Sequence, residues 1–143
     1  MTHQTFNFEF FRAFPSLKEV ASKGFIYMGD EEPGSYLIFE GVLVPEIDRA
    51  AAADPEYLGQ LMSFVEEVAQ PGFGTCNDLV QIGLGEWLPS SANADKIRAA
   101  AGPNTREALW RAERYLVEAE RSQNGSPLLS LLRRVILPRK KGA

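Results

Sequence analysis

The spacing of apolar residues predicts an amphipathic helix over residues 54–70. Asp54 and Pro55 are a favourable N-cap and first helical residue for this segment. On a helical wheel, the apolar face holds Leu58, Leu61, Met62, Val65, Val68 and Ala69. The opposite, polar face holds Glu56, Gln60, Ser63 and Glu67. We therefore expect these four polar side chains to be exposed.

Proline and glycine residues divide the rest of the chain into further helical segments. These segments are residues 5–14, 15–23, 35–47, 77–88, 93–101, 105–121 and 128–137. Residues 25–28 fit either a short strand or a buried loop, and residues 30–34 fit a turn. Because no convincing alternating strand is present, the pattern predicts an all-α single domain, residues 1–143, of six to seven helices packed as antiparallel pairs. Such pairs form either a bundle or a HEAT-like stack, and residues 138–143 are expected to be a flexible basic tail.

The sequence also predicts how several of these helices begin and which residues allow them to pack closely. Ser35 is expected to cap its helix, and Pro45 to kink or break it. Either Asn104 or Thr105 is expected to cap the long helix, with Glu107 completing a capping box. Gly83 and Gly85 each cost about 1 kcal/mol relative to alanine inside a helix, which is tolerable if they let a neighbour come close.

The charge of the chain is divided unevenly, and this division favours a protein partner with a basic surface. The net charge is −4, but residues 127–143 hold five of the fifteen basic residues and none of the nineteen acidic ones. The body therefore carries −9 and the tail +5. An acidic body repels nucleic acid. No apolar run is long enough to span a membrane or to form a signal peptide, so a cytoplasmic location is expected.

Candidate chemistry is sparse, and we expect no catalytic, cofactor-binding or metal-binding residues. His3 is the one histidine and is expected in a frayed terminus. Serine nucleophiles lack both a Gly-x-Ser-x-Gly elbow and a partner histidine, and no phosphate-binding glycine loop is present. Cys76 is expected to be buried, although a helix N-terminus nearby could lower its pKa.

Two surfaces are candidates for partner binding. On the long helix, the expected core stripe is Ala108, Leu109, Ala112, Tyr115, Leu116 and Ala119. Trp110 points away from this stripe, beside arginines, so it is either a binding anchor or covered by the helix over residues 128–137. The second surface is acidic. The predicted partner-binding residues are Asp30, Glu31, Glu32, Glu56, Gln60, Ser63, Glu67 and Trp110.

Two stretches resemble a family of small uncharacterised bacterial helical domains: Phe64-Val65-Glu66-Glu67-Val68, and residues 77–88 with their Asn, apolar run, glycines and glutamate. The resemblance covers roughly residues 30–90. It implies stacked helix pairs, a bacterial source and a role as an accessory or immunity-type protein, and it supplies no catalytic residues.

The function that fits these observations is an acidic, immunity-type protein that covers the active site of a cognate toxin. One alternative is a small enzyme or ligand-binding module that uses carboxylates with Tyr36, Trp87 and Trp110 in an interhelical pocket. The other alternative is a helical adaptor or a homodimeric scaffold.

Overall fold

The part of the chain that the structure describes is all-helical and packs into a single domain, as predicted. The computed structural model describes residues 1–24 and 32–124. Within these ranges the α-helices are α1 (His3–Ala13), α2 (Ser16–Gly24), α3 (Ser35–Ile38), α4 (Val44–Ala53), α5 (Pro55–Val68), α6 (Ala94–Ala100) and α7 (Pro103–Asn124). Two π-helical segments, Phe39–Leu43 and Leu79–Gly85, and a 3-10 turn at Leu88–Ser90 complete the described elements.

Aromatic side chains fasten α1 to the core. Phe6 and Phe10 are fully buried, and their rings lie 6.0 and 5.6 Å from the ring of Phe64 on α5. The ring of Phe6 also lies 5.8 Å from the ring of Phe39. Phe8, in contrast, is 68% exposed, which explains why the phenylalanine spacing follows no clean period. Burial of each phenylalanine contributes about 1.5–3 kcal/mol, so these two residues hold α1 firmly.

The helix α5 has the amphipathic character that its sequence predicts. The Asp54 carboxylate accepts a hydrogen bond of 3.1 Å from the backbone N–H of Tyr57, so Asp54 is the N-cap. All six residues of the predicted apolar face are buried. The four polar residues opposite them are exposed, which confirms the prediction for that face.

The helical segment that begins at Ser35 runs without a break to Ala53, so Pro45 does not end it. Proline has no N–H to donate to the preceding turn. The chain passes through this region as a π-helical segment, in which the N–H of Val44 bonds to the carbonyl of Phe39, five residues earlier. The expected cap is also wrong, because Gly34 is the N-cap residue and Ser35 is the first helical residue. The Ser35 side chain bonds to His3 instead.

The second π-helical segment, Leu79–Gly85, lies at the centre of the packing, against α5, α7 and the first π-helical segment. Its two glycines, Gly83 and Gly85, permit this close packing. A Cβ added at Gly83 would lie 2.5 Å from a ring carbon of Phe39, and one added at Gly85 would collide with Ala112. The sequence had indicated apolar residues around most of this segment, but Ile82 is 39% exposed because one side of the segment faces a groove.

A carboxylate from another helix caps the N-terminus of α7. Glu66 on α5 accepts hydrogen bonds from the backbone N–H groups of Asn104 (2.8 Å) and Thr105 (2.9 Å) and from the Thr105 hydroxyl (2.7 Å). The expected capping box is therefore wrong, and Glu107 pairs with Arg111 instead. Gly102 is necessary for this contact, because a Cβ there would lie 2.5 Å from the Glu66 carboxyl carbon.

Four sequence predictions lie outside the described residues. They concern residues 25–28, the first two residues of the turn at 30–34, the helix over residues 128–137 and the basic tail over residues 138–143. Among the helices within the described ranges, none combines the length and apolar character that crossing a membrane requires.

The Glu66 cap predicts an acid-dependent loss of stability. Burial raises the pKa of the Glu66 carboxyl, but the hydrogen bonds from Thr105 and Asn104 outweigh burial and lower the pKa below its ordinary value of 4.5. The stabilisation is therefore present above pH 4.5 and is lost as the pH falls through the lowered pKa. At neutral pH, we expect Glu66→Ala to lower the free energy of unfolding by about 2 kcal/mol in urea denaturation.

Glu67→Ala is the matched control for this prediction. Glu67 is the exposed neighbour of Glu66, so its substitution should cost less than about 0.5 kcal/mol. The stability difference between wild type and Glu66→Ala should shrink at acidic pH. A difference that stays constant down to about pH 2 would contradict the charged cap.

Candidate functional site

The predicted acidic residues come together on α5 but not elsewhere. Glu56, Gln60, Ser63 and Glu67, which we call the α5 acidic face, share one exposed side of the helix. Glu32 is exposed and lies near α1, where the Asn7 amide donates a hydrogen bond of 3.4 Å to its carboxylate. Asp30 and Glu31 lie outside the described residues. The structure therefore supports the α5 acidic face as one surface and places Glu32 against a different helix.

A groove with an acidic lining lies between the two π-helical regions. We call it the Trp87 groove, and its lining residues are Glu40, Val44, Pro45, Asp48, Ile82, Gly83, Glu86 and Trp87. Its volume is about 490 Å³, which is in the range of ligand and side-chain pockets. Within the part of the chain that the structure describes, all of its charged lining residues are carboxylates. The groove therefore combines apolar contact area with a negative field.

Helical geometry explains how the Trp87 groove is built. Glu40, Val44 and Asp48 are spaced four residues apart along one helical run, so they follow one side of it. Asp48 is held in place by the Ser91 hydroxyl at 2.7 Å and the Asn93 amide at 3.0 Å.

Two carboxylates of the Trp87 groove remain available to a partner. Glu40 and Glu86 are exposed, and neither forms an ion pair with another residue in the described ranges. Sequence reasoning missed this groove. The four-residue spacing was visible, but the approach of Glu86 depends on how the two π-helical segments pack.

His3 is fixed in a hydrogen-bonded cluster, so the expectation of a frayed terminus is wrong. Its Nδ1 lies 2.7 Å from the Ser35 hydroxyl and its Nε2 lies 2.8 Å from an oxygen of Asp78. The imidazole stacks on the Tyr36 ring at 5.4 Å, and the Tyr36 hydroxyl donates to the other Asp78 oxygen. Burial, followed by the hydrogen bond and charge of Asp78, raises the pKa of Tyr36 to about 12.

The His3 cluster contains the residue types of a Ser-His-Asp triad, contrary to the expectation that no serine has a partner histidine. A nucleophilic serine must be open to its substrate. Ser35 is only 9% exposed, and Asp78 is shared with Tyr36. The cluster therefore fastens α1 to α3 and to the residue that precedes the second π-helical segment.

Cys76 is fully buried, as expected. Burial raises the pKa of its thiol, so the alternative of an activated thiolate is wrong. Within the described ranges, no three histidine, cysteine or acidic side chains are placed to hold a metal ion together.

Trp110 is 51% exposed, and the Arg114 guanidinium lies 5.0 Å from the centre of its ring. Tyr115, which was expected in the core stripe, is 58% exposed. The described neighbours of α7 cover the side that carries Ala108, Leu109 and Ala112. The helix over residues 128–137 that could cover Trp110 lies outside the described residues.

Trp110 lines a second groove, of about 450 Å³, which we call the Trp110 groove. Its lining residues are Leu88, Pro89, Arg98, Arg106, Leu109 and Trp110, together with Gly85 and Glu113. Tyr36, Trp87 and Trp110 thus lie at three separate places, and the expectation that they share one interhelical pocket is wrong.

Comparison of the chain with known family models, curated proteins and solved structures gave no match.

The His3 cluster predicts that α1 is anchored at its first turn. We expect His3→Ala to lower the free energy of unfolding by about 1–2 kcal/mol, because Asp78 and Ser35 lose their partner. Urea denaturation measures this difference. Gln4→Ala is the control, since Gln4 is exposed on the same turn and its substitution should change stability by less than about 0.5 kcal/mol. Equal effects of the two substitutions would mean that the cluster adds no stability.

Proposed function

We propose that the protein is a binding module for a protein partner with a basic surface, of the immunity type that neutralises a toxin by covering its active site. The observation that carries the proposal is the Trp87 groove, in which apolar surface and three carboxylates line one cavity, with no lysine or arginine among its described lining residues. The negative charge of the body supports the same kind of partner.

The Trp87 groove fits a lysine or arginine side chain of the partner. The apolar stem of such a side chain packs on Val44, Pro45 and Ile82, and its charged head reaches Glu40 or Glu86. Arginine also stacks favourably on an indole, and Trp87 is half-buried in the groove lining. Aromatic residues that pair with a charged anchor are the usual energetic centres of protein interfaces.

The α5 acidic face contributes differently in this proposal. Its carboxylates are exposed and line neither the Trp87 groove nor the second groove at Trp110, so they attract a basic partner at long range rather than anchor it. Reversal of Glu56 and Glu67 to lysine should therefore reduce the association rate and its salt dependence, while folding stays within about 0.5 kcal/mol of wild type.

Two double variants of equal charge test whether the Trp87 groove is the anchor. The probe is a fluorescein-labelled amphipathic peptide of leucine and lysine, about 14 residues long. Fluorescence anisotropy should show that Glu40→Gln/Glu86→Gln weakens binding about tenfold, because two charge contacts beside apolar surface are lost. Glu56→Gln/Glu67→Gln removes the same charge and should weaken binding only about twofold.

The two variants must melt at the same temperature as wild type for this comparison. Equal losses of affinity would show that net charge alone attracts the peptide, and the groove proposal would fail. A larger loss of affinity in Glu56→Gln/Glu67→Gln would indicate that the peptide binds at the α5 acidic face instead.

The immunity role itself requires a test with a natural partner. The product of the neighbouring gene should co-purify with the full chain at physiological salt, and Glu40→Gln/Glu86→Gln should reduce the recovered amount. In cells that express the neighbouring gene, the same double variant should no longer protect against the toxicity of its product. Full protection by the variant would count against the groove as the site that blocks a toxin.

A further inference from the structure

The described lining of the Trp110 groove is net positive, whereas that of the Trp87 groove is negative, and the two sets of described lining residues do not overlap. Two arginines line the Trp110 groove from different helices, Arg98 from α6 and Arg106 from α7. Glu113 is the one carboxylate among the lining residues that the structure describes, and their net charge is +1. An anion is therefore the favoured occupant.

The two arginines are available for a new partner. Arg106 forms no ion pair with any residue that the structure describes. Arg98 lies 3.7 Å from Asp95, but both side chains are solvent-exposed and the contact is long. Such a surface pair contributes little, and the planar guanidinium can bind a carboxylate or phosphate through two parallel hydrogen bonds instead.

The rest of the groove is apolar and held in place by the core. Leu88 and Leu109 are 1% and 9% exposed, so their positions are set by packing. Gly85 lets α7 approach, because a Cβ at this position would collide with Ala112. Pro89 and the half-exposed indole of Trp110 complete the lining. The Arg114 guanidinium lies over one face of the indole, so a flat ring can pack on the part of the indole that lines the groove.

We infer that the Trp110 groove binds a small molecule in which a planar ring is joined to one anionic group. The ring packs against Trp110 and the apolar lining, and the anion pairs with Arg106 and Arg98. An aromatic carboxylate and a nucleoside monophosphate share this chemistry. The site is independent of the Trp87 groove, so the failure of either proposal leaves the other standing.

Isothermal titration calorimetry on the full chain tests the site with four probes. Adenosine 5′-monophosphate and 2-naphthoate each carry a ring and an anion, whereas adenosine carries only the ring and inorganic phosphate only the anion. We expect at least one ring-bearing anion to bind with a Kd below about 1 mM, and adenosine and phosphate to bind at least about tenfold more weakly. The tighter of the two ring-bearing anions identifies the anionic group as phosphate or carboxylate.

Three variants assign the binding to the groove. Arg106→Gln and Arg98→Gln should each weaken the tighter probe about tenfold, because a charge-assisted hydrogen bond is lost. Arg111→Gln is the control: Arg111 lies on the same helix, is paired with Glu107 and is not part of the groove lining. Its effect should stay within about twofold. All three variants should melt like wild type, since the substituted side chains are exposed.

Several results would overturn the inference. One is the absence of saturable binding by either ring-bearing anion up to about 10 mM. Another is an equal loss of affinity in Arg111→Gln, which would reduce the effect to overall charge. A third is tighter binding of a hexaglutamate peptide than of either ring-bearing anion, which would make the groove a contact for an acidic protein segment.

Discussion

The hydrogen bonds between Glu66 and the N-terminus of α7 tie together the two longest helices of the described chain. Free N–H groups at a helix start carry a partial positive charge, and a carboxylate satisfies both their charge and their hydrogen-bonding need. The absence of a side chain at Gly102 lets Glu66 reach them. The position of α7 then determines where Arg106 and Trp110 lie, so the Trp110 groove depends on this contact.

The second π-helical segment is shared by both grooves. Gly83 permits contact with Phe39 beside the Trp87 groove, and Gly85 permits contact with α7 beside the Trp110 groove. Side chains at these two positions would push both neighbours away. The lack of a side chain at Gly83 and Gly85 therefore determines the shape of each groove. Residues of the surrounding helices determine its charge.

Sequence reasoning predicted the helical class and the exposed and buried sides of α5, because a fixed period of apolar residues reports directly on one helix. It also anticipated why Gly83 and Gly85 are tolerated. It failed where a polar group forms its hydrogen bonds with residues far away in the sequence. His3 bonds to Ser35 and Asp78, and Glu66 caps α7 in place of the expected local residue. Both grooves were missed for the same reason, since each draws charged residues from helices whose packing a single sequence does not specify.

The first π-helical segment has a consequence for how the length of the chain can change. Each hydrogen bond of a π-helix encloses one residue more than a hydrogen bond of an α-helix. The segment Phe39–Leu43 therefore holds one extra residue in a wider turn. In an uninterrupted α-helix, an extra residue would rotate everything before it by about 100°. The wider turn avoids most of that rotation, so Ser35 and Tyr36 keep their contacts with His3 and Asp78 while Val44 to Ala53 keep theirs. A one-residue difference in length at this segment is thus accommodated locally and is not passed to the rest of the helix.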